Sequence, residues 1–293
     1  MDAPKKARII INPHSGTEDK SELEAHLKNA FDQKTFSYEI FYTSGPKEAT
    51  ALSREAASLG YDLVIAVGGD GTVNEVGKGL IGTETALGII PVGSGNGFAK
   101  HLLIPAQVDE AIRTIQEFQV QRIDTIQAND EYILGVGGIG FDAHISLKFA
   151  ESKRRGLASY AILVFKEYPS YDTKTFQLTV DGKLMQRTAL IVSFAKSTQY
   201  GNNFYIAPQA KMDDGLMHLI FLRDPPFYAI PGLILQVKKG TVQQSPYYES
   251  IPCKEIDVGD QPIQAHIDGE PVFFPNGLKL KVLPKSLKVI TGK

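Results

Sequence analysis

The chain has one cysteine, Cys253, among 293 residues. No intrachain disulfide can form and no cysteine-rich zinc site exists, so a reducing, cytoplasmic setting is expected. An excess of charge is also missing: the formal net charge is −2. That balance argues against a protein held mainly by a nucleic-acid backbone, and no nucleic-acid partner is expected. No apolar run reaches about 18 residues, the length of a membrane-spanning helix, so any membrane contact should be peripheral. The opening stretch MDAPKKARIIINP carries lysines but no long apolar core, and does not read as a signal peptide. Internal repeats and low-complexity linkers are absent.

The hydrophobic content of 43% is enough for one large domain or two ordinary ones. The first part alternates short apolar runs with amphipathic ones. Strands are expected at Ala7–Ile11, Ser37–Tyr42, Leu63–Val67 and Ala86–Ile90. Helices are expected at Glu18–Phe31, Lys47–Leu59, Thr72–Ile81, Gly97–Leu103 and Val108–Phe118. This alternation implies a parallel sheet covered on both faces, with ligands beyond the C-terminal strand ends. Strand patterns take over after about Val120, at Arg122–Ala128, Tyr132–Val136, Thr175–Val180, Thr188–Ala195, Met217–Leu222 and Ile263–Ile267. Asp181-Gly182 is a hairpin signal. The second part therefore reads as an antiparallel sandwich or barrel, with helical inserts near Ala158–Tyr168 and Tyr228–Lys238. The tail LKLKVLPKSLKVITGK reads as two short apolar runs around Pro284. By composition, the domain boundary falls between Val120 and Ile126.

Three glycine-rich turns follow strand signals: GGDGT (Gly68–Thr72), VGSGNG (Val92–Gly97) and GVGGIG (Gly135–Gly140). The third contains G-x-G-x-x-G but sits mid-chain among strands, which disfavours a dinucleotide fingerprint and suggests close backbone packing. The first two each end a parallel strand and open a helix, so their N–H groups share one sheet edge. Asn12–Gly16 and Thr43–Gly45 end the first two strands at that edge. Asp70 would repel phosphate unless a cation intervenes. Mg²⁺ bridges carboxylates to phosphates, which moves the reading from passive nucleotide binding to phosphoryl transfer.

On these motifs the chain resembles the diacylglycerol kinase catalytic domain family of lipid kinases, which includes sphingosine and ceramide kinases. GGDGT, preceded by a strand and followed by Asn-Glu, carries that resemblance, and the GGDGT element by itself is shared more widely with NAD kinases and phosphofructokinases. The remaining matches are INPHSG, PVGSGNGFA, KMDDGLMHL and HIDGEPV, in family order from Ile10 to Val272. The resemblance implies a phosphofructokinase- or NAD kinase-like α/β domain and a C-terminal antiparallel β-sandwich, with the active site in the cleft between them. The division would be 1–125, a nucleotide-binding domain with 284–293 as a candidate last piece, and 126–283, a β-rich lipid-substrate domain.

By resemblance, ATP would meet Asn12, Pro13, Ser15, Gly16, Thr43, Gly68, Gly69, Asp70, Gly71, Thr72, Ser94, Gly95 and Asn96. Asn74 and Glu75 would support the helix start. Asp70 and Asp124 would organise a catalytic Mg²⁺. Asp214, with the carbonyls of Lys211 and Leu216, would hold a structural Mg²⁺. Either Asp268 or Glu270 would accept the proton of the acceptor hydroxyl, as a kinase acting on an alcohol requires. His266, on the opposite strand face from Ile267, reads as structural. Where bacterial relatives read T-x-N-D-F-A in the second glycine loop, this chain reads S-G-N-G-F-A. Gly97 thus removes a carboxylate, and diacylglycerol itself is not assured as substrate.

The implied function is an ATP- and Mg²⁺-dependent kinase acting on a lipid hydroxyl (diacylglycerol, a sphingoid or a related lipid) at a membrane surface. Competing readings are a NAD kinase-like phosphotransferase with a soluble substrate and a non-catalytic nucleotide- or lipid-binding module. A homodimer is compatible with the sequence. Two segments are candidate membrane contacts. One is Glu151–Tyr171, where Lys153, Arg154 and Arg155 precede an apolar run. The other is Pro225–Lys239, with Phe227, Tyr228, Ile230 and Leu233.

Overall fold

The structure, a computed structural model, describes residues 4–16, 24, 27, 31, 35–93, 95–152 and 157–293. The helix expected over Glu18–Phe31 lies outside the described residues except for Glu24, Leu27 and Phe31. Two compact units form: Met1–Ile123 with Lys285–Lys293, and Asp124–Pro284.

The first unit contains strands β1 (Lys5–Ile11), β2 (Phe36–Tyr42), β3 (Leu63–Gly68) and β4 (Ala86–Pro91). Its described helices are α1 (Glu48–Ser58), α2 (Asp70–Leu80), α3 (Gly97–His101) and α4 (Val108–Glu117). The order is β2-β1-β3-β4, all parallel, with Ile9 opposite Ile40 and Ile65, and Val67 opposite Ile90. β3 and β4 are buried at every position. Both faces of the sheet are covered, so these strands are apolar runs rather than alternating ones. α1 buries Ala49, Ser53 and Ala56, a single helical stripe. α1 packs directly against Gly79 of α2: a Cβ there would lie 1.9 Å from Ser53 Oγ.

Strands β5 (Val120–Ala128) and β16 (Lys279–Ile290) run through the division between units. Lys288 and Val289 of β16 pair in parallel with Ala86 and Leu87, which adds a fifth strand to the first unit. Lys279–Lys281 pair antiparallel with β13 (Glu255–Asp257) in the second. The tail is thus one strand rather than two runs. Pro284, which has no N–H for a ladder, falls between the two pairing stretches.

The second unit is a sandwich. In chain order it contains β6 (Glu131–Ile133), β7 (Val136–Gly140), α5 (Phe141–Glu151), α6 (Leu157–Glu167), β8 (Lys174–Val180), β9 (Lys183–Ala189), β10 (Ile191–Ala195), β11 (Met217–Leu222), α7 (Ile230–Lys239), β12 (Tyr248–Cys253), β14 (Ile263–Ile267) and β15 (Glu270–Phe274). One sheet has the order β12-β11-β10-β7-β14-β15, antiparallel throughout. The other layer includes β13, β8 and β9. Ile126, Leu178, Val192, Phe194, Leu219 and Phe221 belong to the core.

Two expectations are corrected here. Thr188–Ala195 is not one strand: it breaks at Leu190, which turns its N–H to Leu222 O at 2.9 Å. GVGGIG is not a turn: Val136–Gly140 is strand β7, central in its sheet. Its glycines make room, since a Cβ on Gly137 would lie 2.6 Å from Ile133 Cδ1 and one on Gly138 2.5 Å from Asp142 Oδ2. Among the described residues no helix is long and apolar enough to cross a membrane.

Candidate active site

In the α/β unit, the loops after β1, β2, β3 and β4 gather at the C-terminal edge of the sheet. Asn12 donates from Nδ2 to Thr72 Oγ1 at 3.1 Å, and its Oδ1 accepts the His14 N–H at 2.9 Å. Ser15 Oγ donates to Asn12 O at 2.8 Å. Pro13 sits inside this turn. Gly16 has φ +68°, and a Cβ there would meet Val92 O at 2.3 Å. Thr43, buried, donates its N–H to Ile11 O at 2.9 Å.

The two glycine turns lie back to back. A Cβ on Gly93 would stand 2.5 Å from Gly69 Cα, and one on Gly68 2.4 Å from Thr72 Cβ. Asp70 opens α2, and Gly71 follows in its first turn. Its Oδ1 accepts the Phe98 N–H at 3.3 Å, while Oδ2 lies 2.9 Å from where a Gly95 Cβ would be. Gly97 therefore stands beside a carboxylate supplied by the neighbouring turn. Asn96 is left-handed, donates to Gly93 O at 2.7 Å, and keeps a buried Oδ1 with no hydrogen-bond partner among the described residues. Asn74 is buried in α2. Glu75 ties α2 to the start of α1, accepting the Lys47 N–H at 2.9 Å. Ser94 lies outside the described residues.

In the sandwich unit, Asp268 and Gly269 form the turn between β14 and β15, at φ 48° and 92°. The Asp181-Gly182 hairpin, at φ 46° and 78°, has the same form. The carboxylates differ in what they hold. Asp181 accepts the N–H of Lys254 and Glu255. Asp268 accepts those of Leu134, Gly135 and Val136 at 2.8–2.9 Å. Glu270 is exposed and opens β15, paired with Ile267 across the turn.

Beneath this turn lies a buried polar network that the sequence reading missed. His266 Nδ1 accepts the Gly269 N–H at 3.3 Å, so its ring proton sits on Nε2, 3.0 Å from Asp142 Oδ2. Tyr200 OH donates to the same oxygen at 2.9 Å and pairs with Ser193 Oγ at 2.6 Å. Burial, with the nearby Asp142 charge, pushes the Tyr200 phenol well above its ordinary range. Asp142 directly follows GVGGIG-Phe, the one local sign of a side chain aimed back at those glycines.

Asp124, Asp214 and Leu216 meet through Lys196. Lys196 Nζ is 2.8 Å from Asp124 Oδ2, 2.8 Å from Asp214 Oδ1 and 2.6 Å from Leu216 O. Burial pushes the Asp214 carboxyl up, but hydrogen bonds from Lys196 and the Leu216 N–H outweigh it and leave the group below its usual range. Lys211 is exposed on the same loop. Among the described residues no group of three His, Cys, Asp or Glu side chains could hold a metal.

A parallel α/β unit with glycine turns at its C-terminal edge, joined to an antiparallel sandwich, is the architecture of a two-unit kinase. The chain belongs to the diacylglycerol kinase catalytic domain family of lipid kinases. Residues 6–128 match the family described as "Diacylglycerol kinase catalytic domain", and residues 135–291 match "YegS C-terminal NAD kinase beta sandwich-like domain". The chain is 29% identical to a diacylglycerol kinase of Bacillus subtilis, over 91% of this chain and 90% of that one. It is 28% identical to a probable lipid kinase YegS-like of Yersinia enterocolitica, over 97% and 96%. A crystal structure of a putative diacylglycerol kinase from Bacillus anthracis shares the fold, with a TM-score of 0.80 at 23% identity, over 100% of this chain and 97% of that one.

Proposed function

We propose that the protein transfers the γ-phosphate of ATP to the hydroxyl of a membrane lipid. The observation that carries this reading is the pair of apposed glycine turns, Gly69 against Gly93, at the edge where α2 begins. A phosphate there meets backbone N–H groups and the positive end of an eleven-residue helix. The buried Asn96 Oδ1, without a hydrogen-bond partner among the described residues, is an acceptor available to a ligand's donor.

Asp70, the carboxylate of this turn, would be the residue that holds a Mg²⁺. The ion supplies charge neutralisation between carboxylate and phosphates. Asp70 also fixes the second turn through Phe98. The sandwich unit supplies the proton acceptor. Phosphoryl transfer depends on positioning more than on base strength. Asp268, pinned by three N–H groups, is the carboxylate held to one orientation. We assign it to receive the hydroxyl proton. Glu270, two positions further along the chain at the start of β15, is a second carboxylate of this turn. The network of Asp142, His266 and Ser146, which donates to Gly269 O, holds the turn.

Support for peripheral membrane contact comes from Phe227 (74% exposed) and Tyr228 (84%), just before α7, which ends in Lys238 and Lys239. On α6, Ile162 and Phe165 are exposed, while Tyr160, Leu163 and Val164 pack against Phe141 and Leu190. The basic start of that segment, Lys153–Arg155, lies outside the described residues.

The test is incubation with labelled ATP, Mg²⁺ and mixed micelles carrying single lipids, with NAD as a parallel substrate. Label is expected in a lipid only. Label in NAD, or ATP binding without turnover on any lipid, would overturn the assignment.

A further inference from the structure

We propose that Lys196 is a built-in cation that replaces the structural divalent metal expected in the 211–216 loop. Its ammonium group has three protons to give, and three oxygens receive them: Asp124 Oδ2, Asp214 Oδ1 and Leu216 O, at 2.6–2.8 Å. Two of those three groups are the ones the sequence assigns to the metal. The side chains of Lys196 and Asp124 are 0% and 1% exposed. A charge so enclosed persists only when paired and hydrogen-bonded, and here it is saturated.

The loop closes around this ammonium. Asp124 takes the Gly215 N–H at 2.7 Å through its side chain and gives its own N–H to Met212 O. Asp214 Oδ1 takes the Leu216 N–H at 3.1 Å. The oxygens are spaced for a nitrogen at 2.6–2.8 Å. Mg²⁺ draws its ligands in to about 2.0–2.1 Å in a rigid octahedron. Metal and ammonium cannot share the position, and both carboxylates already face a positive charge. The loop is therefore ordered without metal, and any Mg²⁺ requirement of the protein belongs to the nucleotide alone. This inference stands on the sandwich unit and does not depend on which substrate is phosphorylated.

Thermal unfolding without nucleotide tests it, with MgCl₂ alone as the probe. The wild type is expected to melt at the same temperature in EDTA and in MgCl₂. Lys196→Ala removes the ammonium and leaves two carboxylates facing a gap. It should melt at least ~4 °C lower in EDTA and recover in MgCl₂, and adding Asp214→Asn should abolish the recovery. A wild-type midpoint that rises several degrees in MgCl₂, with the rise lost in Asp214→Asn, would overturn the proposal. If Lys196→Ala does not fold in either buffer, the comparison of wild type with Asp214→Asn still decides.

Discussion

Asp70 accepts the backbone N–H of Phe98 at 3.3 Å, so one carboxylate spans the two glycine turns of the α/β unit. Its charge and its hydrogen bond can be separated. Asp70→Asn keeps an acceptor for Phe98 and should melt close to wild type, while kinase activity falls ~10²-fold or more. Asp70→Ala loses both and should cost a further ~1 kcal/mol of stability, read by urea unfolding. Full activity in Asp70→Asn would remove the carboxylate from the chemistry.

Asp268 and Glu270 are two positions apart, with Gly269 between them, but held differently. An amide at 268 has one acceptor oxygen for three N–H groups. Asp268→Asn should therefore abolish lipid phosphorylation and destabilise the sandwich unit by ~1–3 kcal/mol. Glu270→Gln, at an exposed position, should keep its stability within about 0.5 kcal/mol and lose less activity. Steady-state kinetics beside unfolding curves for the two variants checks this. A Glu270→Gln enzyme slower than Asp268→Asn would reverse the assignment.

Glu84 shows how pH should act on the first unit. Lys288 Nζ at 2.6 Å and Arg122 Nη2 at 2.5 Å pull its carboxyl down to about 2 from an ordinary 4.5. The folded value lies below the unfolded one, so the contribution is present above the unfolded value and is lost as pH falls through the folded one. Glu84 is exposed, so the effect should be small. The stability gap between wild type and Glu84→Gln should shrink between about pH 5 and about pH 3. A gap independent of pH would remove the two cations as its cause.

Cys253, at the end of β12, is 1% exposed, and burial pushes its thiol up to about 12. Thiolate is the reactive form, so the folded protein should resist aromatic disulfide reagents at neutral pH. Colour should develop within seconds in denaturant and at least ~10²-fold more slowly without it. Equal rates would mean that β12 opens readily.

Much of the fold was legible because its cause is local. Met217–Leu222 and Ile263–Ile267 were placed to the residue, since each is a short run between turn signals. The same reasoning mistook β7 for a turn. Its glycines answer to Ile133 and Asp142, four residues to either side, and to His266, which lies far away in sequence. Arg8 was hidden in the apolar run ARIII. It is buried because Glu39, Glu55, Phe41 and Tyr61 surround it, and no one of them is adjacent in the chain. At the candidate site, GGDGT and HIDGE announced their carboxylates. FAKSTQ gave no sign that Lys196 would reach Asp124, 72 residues before it in the chain. Local patterns report turns and periodicity, while an ion pair between distant segments leaves no mark in either.

The fifth strand of the first unit comes from residues 285–293, which are translated after the whole of Asp124–Pro284. On the ribosome, β4 would therefore wait with one edge bare while the sandwich is made. The unit that starts first is the one that finishes last. Mutations that slow folding of the second unit should therefore surface as aggregation through the first.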